Sequence, residues 1–290
     1  MKIVNYGEKL PKNLILALGY FDAVHVGHKA VLNKTVAIAK SKNLSPTALI
    51  FTGGKSDCDV FSLAERFDRI FKLGIENIIV KTLDRAFMQK TKTEFLTEIT
   101  SLYDVKGVVS GSDFTFGLNA EGNVQTLIDF FGEDLVFTEK LLGDGTQKFS
   151  SSNVKKALLE GDVKKANFYL GDEYFIKGEV LRGKGLGKTL GFPTANVKIE
   201  DSKLKIKNGV YKTFVIIGGK RYGAISNFGA QPTVNGESVI LETYINGFNG
   251  DLYGKTLTVY FEDYIRDIKK FSSLSELTNQ LKKDKGVLND

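Results

Sequence analysis

Up to about Leu170 the chain alternates short apolar runs with helix-like stretches; beyond that point strand-like segments follow one another almost to the end. KIVNY, LILALGY, TALIF, IENIIV, VKGVVSG and DLVFTE are strand-like, and several are apolar at consecutive positions, as strands covered on both faces require. Between them stand HKAVLNKTVAIAK, LAERFDRIFKLG, TEFLTEITSLY and VQTLIDFF, with SNVKKALLEG after the last. That alternation predicts a mostly parallel, doubly wound sheet. YFIKGEVL, TANVKI, VYKTFVII, KRYGAISN, SVILETYI and KTLTVYFEDYI then read as strands, with Gly218 and Gly219 in a hairpin-turn position. A helix returns in SSLSELTNQLKK, where Ser273 and Glu276 have capping-box spacing. The expectation is therefore α/β plus all-β. Residues 1–170 form a doubly wound parallel sheet, and residues 171–290 form a small closed β-barrel with a C-terminal helix.

Composition narrows the function classes. The net charge is +6 in 290 residues, but the lysines are scattered, with pairs such as Lys155 and Lys156 and no basic block with interleaved aromatics. Nucleic acid is not an expected partner; a nucleotide phosphate suits such a surface equally well. A lone cysteine, Cys58, excludes an internal disulfide and fits a reducing compartment. MKIVNYGEKLPKN has no apolar stretch long enough for a signal peptide, and no segment approaches the roughly 20 apolar residues of a bilayer span, so no membrane partner and a cytoplasmic location are expected. The composition does not reveal an oligomeric state.

The only two histidines, His25 and His28, lie in ALGYFDAVHVGHKAVL, between a strand-like and a helix-like stretch. In an open parallel sheet this loop lies at the carboxyl end of a strand, where ligands bind. Gly19 and Gly27 allow close backbone approach, and the first amides of the following helix favour phosphate. Two imidazoles placed there donate hydrogen bonds to a phosphate as charge builds during displacement at phosphorus.

A second glycine-rich stretch, GEVLRGKGLGKTLGFPTANV, contains GKT at Gly187, Lys188 and Thr189. It is not a P-loop. Position 182, where the first glycine belongs, is Arg182, and Pro193 with a strand-like TANV stands where the helix must begin. Gly183, Gly185, Gly187 and Gly191 still form an amide-rich loop suited to phosphates. A merely flexible hairpin is the alternative.

The pattern GxFDxxHxGH resembles the HxGH nucleotidyltransferases, which join a phosphate or hydroxyl to the α-phosphate of ATP with release of pyrophosphate. GVVSGSDFTFG resembles the strand and loop that this superfamily places around the nucleotide, and FSSSNVKKALLEGDV resembles its pyrophosphate-holding element. The resemblance implies nucleotide-binding roles for Gly19, Phe21, Asp22, Gly27, Asp113, Ser151 and Ser152. It makes His25, His28 and Lys155 catalytic, with Lys155 in place of the usual arginine. Taken alone, SSSN is an ordinary serine cap.

GKGLGKTLGFPTANV, NGVY, NFGAQPTV, LETYI and FNGDLYGKTLTVYFEDYIRDIKKFSS look, in that order, like riboflavin kinase. The whole chain is thus similar to the prokaryotic bifunctional riboflavin kinase and FMN adenylyltransferase family, the FAD synthetases. The resemblance implies that Thr194 and Asn196 hold ATP with Mg2+, helped by Gly183, Gly185, Gly187 and Lys188. It assigns Glu242 as the base that activates the ribityl hydroxyl, and Arg266 to flavin binding. By alternation with Leu241 and Thr243, Glu242 also reads as an outward-facing strand residue. The implied small molecules are riboflavin, FMN, FAD and ATP. The chain departs from the family pattern at IFTGGKSD, Thr115, Tyr244 and Ile268. The departure at IFTGGKSD keeps open a kinase whose first domain is weakened or retargeted; a basic nucleic-acid-binding protein is a distant alternative.

Overall fold

The computed structural model describes the chain except residues 54–57, 141–142, 144–147, 184–186, 188–189, 234–235 and 289–290, and except the side chains of residues 230–239. It divides into two compact units, Met1–Ser151 and Ser152–Asp290. The division falls earlier than Gly171, where the sequence rhythm changes.

The first unit is built on six parallel strands: β1 (Lys2–Asn5), β2 (Leu14–Leu18), β3 (Ser45–Thr52), β4 (Asn77–Thr82), β5 (Val105–Gly111) and β6 (Val136–Glu139). Their order across the sheet is β1-β4-β3-β2-β5-β6. Connections run one way from β2 through β3 to β4, and the other way from β5 to β6, so the order reverses between β2 and β5. Both faces are covered, which is why the strands carry consecutive apolar residues. Leu14, Leu16, Leu49, Ile79 and Val108 pack on one face with Phe95, Leu96 and Ile99 of α4 (Lys92–Leu102) and Leu127 of α5 (Val124–Phe131). On the other face Ile15, Ala17, Ala48, Ile50 and Val109 meet Val31, Leu32 and Ala39 of α1 (Val26–Lys42) and Ile70 of α2 (Leu63–Lys72). A short helix, α3 (Arg85–Met88), precedes α4.

The second unit opens with α6 (Ser151–Glu160), whose first residue belongs to the first unit, and α7 (Val163–Leu170). Six antiparallel strands follow: β7 (Phe175–Leu181), β8 (Thr194–Lys198), β9 (Gly209–Ile217), β10 (Lys220–Thr233), β11 (Gly236–Ile245) and β12 (Thr256–Arg266). They close in the order β10-β11-β8-β7-β12-β9, with β9 paired to β10. Gly218 and Gly219, at φ 58° and 79°, make the β9–β10 hairpin turn. The barrel interior holds Tyr211, Val215, Phe228, Leu241, Val259 and Phe261, all fully buried. A chain of hydroxyls, Thr213 to Ser226 at 2.8 Å and Ser226 to Thr243 at 2.9 Å, satisfies the polar groups among them.

Helix α7 packs with the barrel unit. Asn167 donates from Nδ2 to the Phe261 carbonyl at 2.8 Å and accepts from the Tyr174 amide at 2.7 Å. The C-terminal helix spans Leu274–Gly286. Ser273 caps it, accepting from the Glu276 amide at 3.2 Å, but the expected capping box is corrected at its other half. The Glu276 carboxylate takes the Ser272 amide and hydroxyl, each at 2.9 Å, because a serine one residue earlier offers two donors there.

Candidate active sites

The first site lies at the carboxyl ends of β2 and β5, where the strand order reverses. A cavity of about 270 Å³ is lined there by Gly19, Phe21, His25, Gly27 and His28 after β2, and by Gly111, Asp113 and Thr115 after β5. Lys140, Lys148 and Ser151 complete its polar rim.

The loop that carries the histidines is held in a conformation that local preference disfavours. Phe21 and Val24 adopt φ 50° and 46°, where non-glycine residues, and β-branched ones above all, are rare. Three hydrogen bonds hold it, at Tyr20, Asp22 and Val24. Asp22, expected on the nucleotide, directs Oδ1 to the Val60 amide at 2.9 Å. Arg66 of α2 donates to the carbonyls of Tyr20 and, at 3.1 Å, Phe51; Arg69, one turn on, donates to Val24 at 3.3 Å. Both arginines are buried. The sequence offered one signal for them, two cations three apart within an otherwise amphipathic helix; their targets are carbonyls about 45 residues away and were not legible.

His25 is the N-cap of α1, and its Nδ1 accepts from the amides of Gly27 at 3.1 Å and His28 at 3.4 Å. A neutral imidazole that accepts at Nδ1 carries its proton on Nε2, so the cap fixes a donor tautomer. The His25 and His28 rings stack at 3.8 Å between centroids, and Phe21 meets His28 edge-on at 5.2 Å. Burial, reinforced by the Lys148 cation, pushes the His25 pKa down to about 4. Burial, then His25, Arg66 and Lys148, holds His28 well below the ordinary histidine value. Both rings are neutral at pH 7, and Lys148, paired with Asp113, supplies positive charge beside them. Neutral donors, a helix N-terminus and a lysine together suit a polyphosphate. Ser151 lines this cavity, whereas Ser152 and Lys155 fall in the second unit. Residues 54–57 of IFTGGKSD lie outside the described residues.

The second site lies on the outer wall of the barrel. A cavity of about 470 Å³ is closed by Leu277, Leu281 and Asp284 of the C-terminal helix. Glu242 does face outward, opposite to Leu241 and Thr243, but onto this cavity. Register builds its wall in rows: Glu242 stands opposite Asn196 on one side and Asn227 on the other, and Tyr244 stands opposite Thr194 and Ile225. All six side chains line the cavity, as do Gly187 and Arg266. A Cβ on Gly183 would collide with the Asn196 amide, and one on Gly187 with the Phe192 carbonyl, so the loop approaches the wall too closely for any side chain. Gly185 and Lys188 lie outside the described residues. Arg266, expected on flavin, makes a bidentate pair with Asp284, Nη2 to Oδ2 at 2.6 Å and Nε to Oδ1 at 3.0 Å, joining β12 to the C-terminal helix at the cavity edge.

Both parts of the chain resemble known proteins. Residues 7–153 match the model of the FAD synthetase family, and residues 170–290 that of riboflavin kinase. The bifunctional riboflavin kinase/FMN adenylyltransferase of Bacillus subtilis is 33% identical over 285 residues, covering 93% of this chain and 90% of its own. The protein of the same description from Escherichia coli K12 is 30% identical, covering 97% and 94%. The chain belongs to the bifunctional riboflavin kinase/FMN adenylyltransferase family. It is accordingly a transferase of flavin cofactor synthesis, and the nucleic-acid-binding alternative is not favoured. A crystal structure described as a macrolide-efflux protein from Streptococcus pneumoniae superposes with a TM-score of 0.88 at 29% identity, covering 99% of each chain. Among the described residues of this enzyme, no helix is long and apolar enough to cross a membrane.

Proposed function

We propose that the first unit adenylylates FMN and the barrel unit phosphorylates riboflavin, each with ATP. In the barrel, the terminal ribityl hydroxyl gives its proton to Glu242 as its oxygen attacks the γ-phosphorus, and ADP leaves. Thr194 and Asn196 hold ATP with its Mg2+; among the described residues no cluster of three acidic, histidine or cysteine side chains forms a metal cage. A hydroxyl and an amide oxygen fit an ion that keeps waters and phosphate oxygens as its other ligands. Arg266, fastened to Asp284, shapes the flavin edge of the cavity.

In the first unit a phosphate oxygen of FMN attacks the α-phosphorus, and pyrophosphate leaves. His25 Nε2–H and His28 stabilise the charge gathering there. Ser151 is assigned to the departing pyrophosphate, Gly19 and Gly27 to close backbone approach, and Phe21 and Asp113 to the nucleotide cavity's wall. Cys58, a lone thiol, keeps the cytoplasm as the proposed compartment.

The observation that carries the reading is the row of Asn196 and Glu242 on one cavity wall, with Thr194 one step along the same strand. The test is a pair of variants in one assay that separates FMN from FAD. Glu242→Gln should lower riboflavin phosphorylation a hundredfold or more, within the span of about 10²–10⁴ ascribed to a positioned base, with ATP affinity retained. His28→Ala should abolish FAD formation and leave FMN formation intact. Equal loss of both activities in either variant overturns the assignment of sites.

A further inference from the structure

The row that places Glu242 beside Asn196 continues to a third polar side chain. Asn227 stands opposite Glu242 on the next strand, so the three residues occupy three adjacent strands with Glu242 in the middle. Strands in a sheet lie about 4.8 Å apart, which sets Asn227 about 10 Å from Asn196, on the far side of Glu242. Beyond Asn227 the row reaches Val210 and then Arg266. All five line the cavity. Asn227 Oδ1 is shielded from solvent and has no hydrogen-bond partner among the described residues. A buried polar atom left in that state is costly, and on a cavity wall it points to a group that arrives with the ligand.

We propose that Asn227 binds the polyol chain of the flavin and thereby aims its terminal hydroxyl at Glu242. The inference rests on the kinase reading above, which puts the phosphoryl donor at Asn196 and the accepting base at Glu242. An alcohol lying between them must extend away from the phosphates, toward β10. The hydroxyls behind the reacting one then pass Asn227. A hydroxyl both donates and accepts, so it satisfies an amide presented in either orientation. The isoalloxazine ring offers no such hydroxyls and is left to the apolar part of the cavity, Phe271, Leu277 and Leu281. Asn227 is in this account a specificity-determining residue that selects the ribityl chain.

The test measures binding of riboflavin and of lumiflavin, which carries a methyl group in place of the ribityl chain, to wild type and Asn227→Leu. Loss of one neutral hydrogen bond should weaken riboflavin binding about tenfold, with lumiflavin binding and the KM for ATP unchanged. The ligand-free melting temperature should not fall, since leucine has the same branched shape and leaves no unsatisfied oxygen, and its larger methyl groups extend into the cavity. Equal weakening of both flavins, or an unchanged riboflavin affinity, overturns the proposal. So does a lowered melting temperature with both affinities intact, which marks a structural residue. Should the leucine variant not fold, Asn227→Ser supports the same conclusion if riboflavin alone weakens, and overturns it if the two flavins move together. Turnover of Glu242→Gln reads the base assignment separately, so failure of one reading leaves the other standing.

Discussion

His25 performs two tasks with two nitrogens, and they are separable by substitution. Nδ1 caps α1 through the amides of Gly27 and His28, which leaves Nε2 as the ring's N–H donor on a side chain that lines the cavity. His25→Ala removes both. Loss of an N-cap costs about 1 kcal/mol, which lowers the melting temperature of a unit this size by about 2–4 °C. Loss of a donor aimed at developing charge costs about 10²–10³ in turnover. Asparagine is among the best N-caps, and its Oδ1 falls where the Nδ1 edge of the ring lies, while nothing replaces Nε2. His25→Asn should therefore melt near wild type and still lose FAD formation by about 10²–10³. The assay follows FMN and ATP to FAD in the full chain, with riboflavin phosphorylation as the internal control and calorimetry on the same samples. An asparagine variant that makes FAD at the wild-type rate would refute the donor role. One that melts as low as the alanine variant would refute the capping argument.

Three further outcomes are expected. His25, held near pKa 4 when folded, binds a proton at about 6.5 when unfolded, so between those values the unfolded chain takes up more protons. Its contribution is thus complete above about pH 6.5 and is lost as pH falls toward 4; the loss reaches about 2 kcal/mol at pH 5, and His25→Asn should remove that much of the fall in the first unit's unfolding free energy, measured with urea, between pH 7 and 5. Gly183→Ala, whose Cβ would displace Asn196, should depress FMN formation and leave FMN-to-FAD conversion at the wild-type rate; a normal kinase rate would separate the loop from the wall. A fragment Ser152–Asp290 should fold and phosphorylate riboflavin, whereas one beginning at Asp172 loses the Asn167 bonds to Phe261 and Tyr174 and should melt lower by circular dichroism; equal melting would make α7 dispensable.

Much of the fold was legible because it follows from short-range rules. Consecutive apolar residues in LILAL and TALIF call for a sheet covered on both faces, and period-two segments after Phe175 call for antiparallel strands. Gly218 and Gly219 adopt the positive φ that a tight hairpin needs. The histidine loop was legible as a strand-to-helix turn, and Arg182 and Pro193 excluded a P-loop by spacing alone. The split of the Ser273 cap, with Glu276 turning to Ser272, was not, since two neighbouring serines offer equivalent local choices.

What only the tertiary structure decided depends on contacts between residues far apart in the chain. Register on β8, β10 and β11 brings Asn196, Asn227 and Glu242 into one row, and no local pattern specifies which residue of one strand faces which of another. Arg66 and Arg69 reach the histidine loop because α2 packs beside it, and they hold Phe21 and Val24 at backbone angles that their own side chains disfavour. The sequence by itself determined that two imidazoles stand at the start of a helix; that they are neutral is a property of burial and of the Lys148 charge, which exist only once the chain has folded around them.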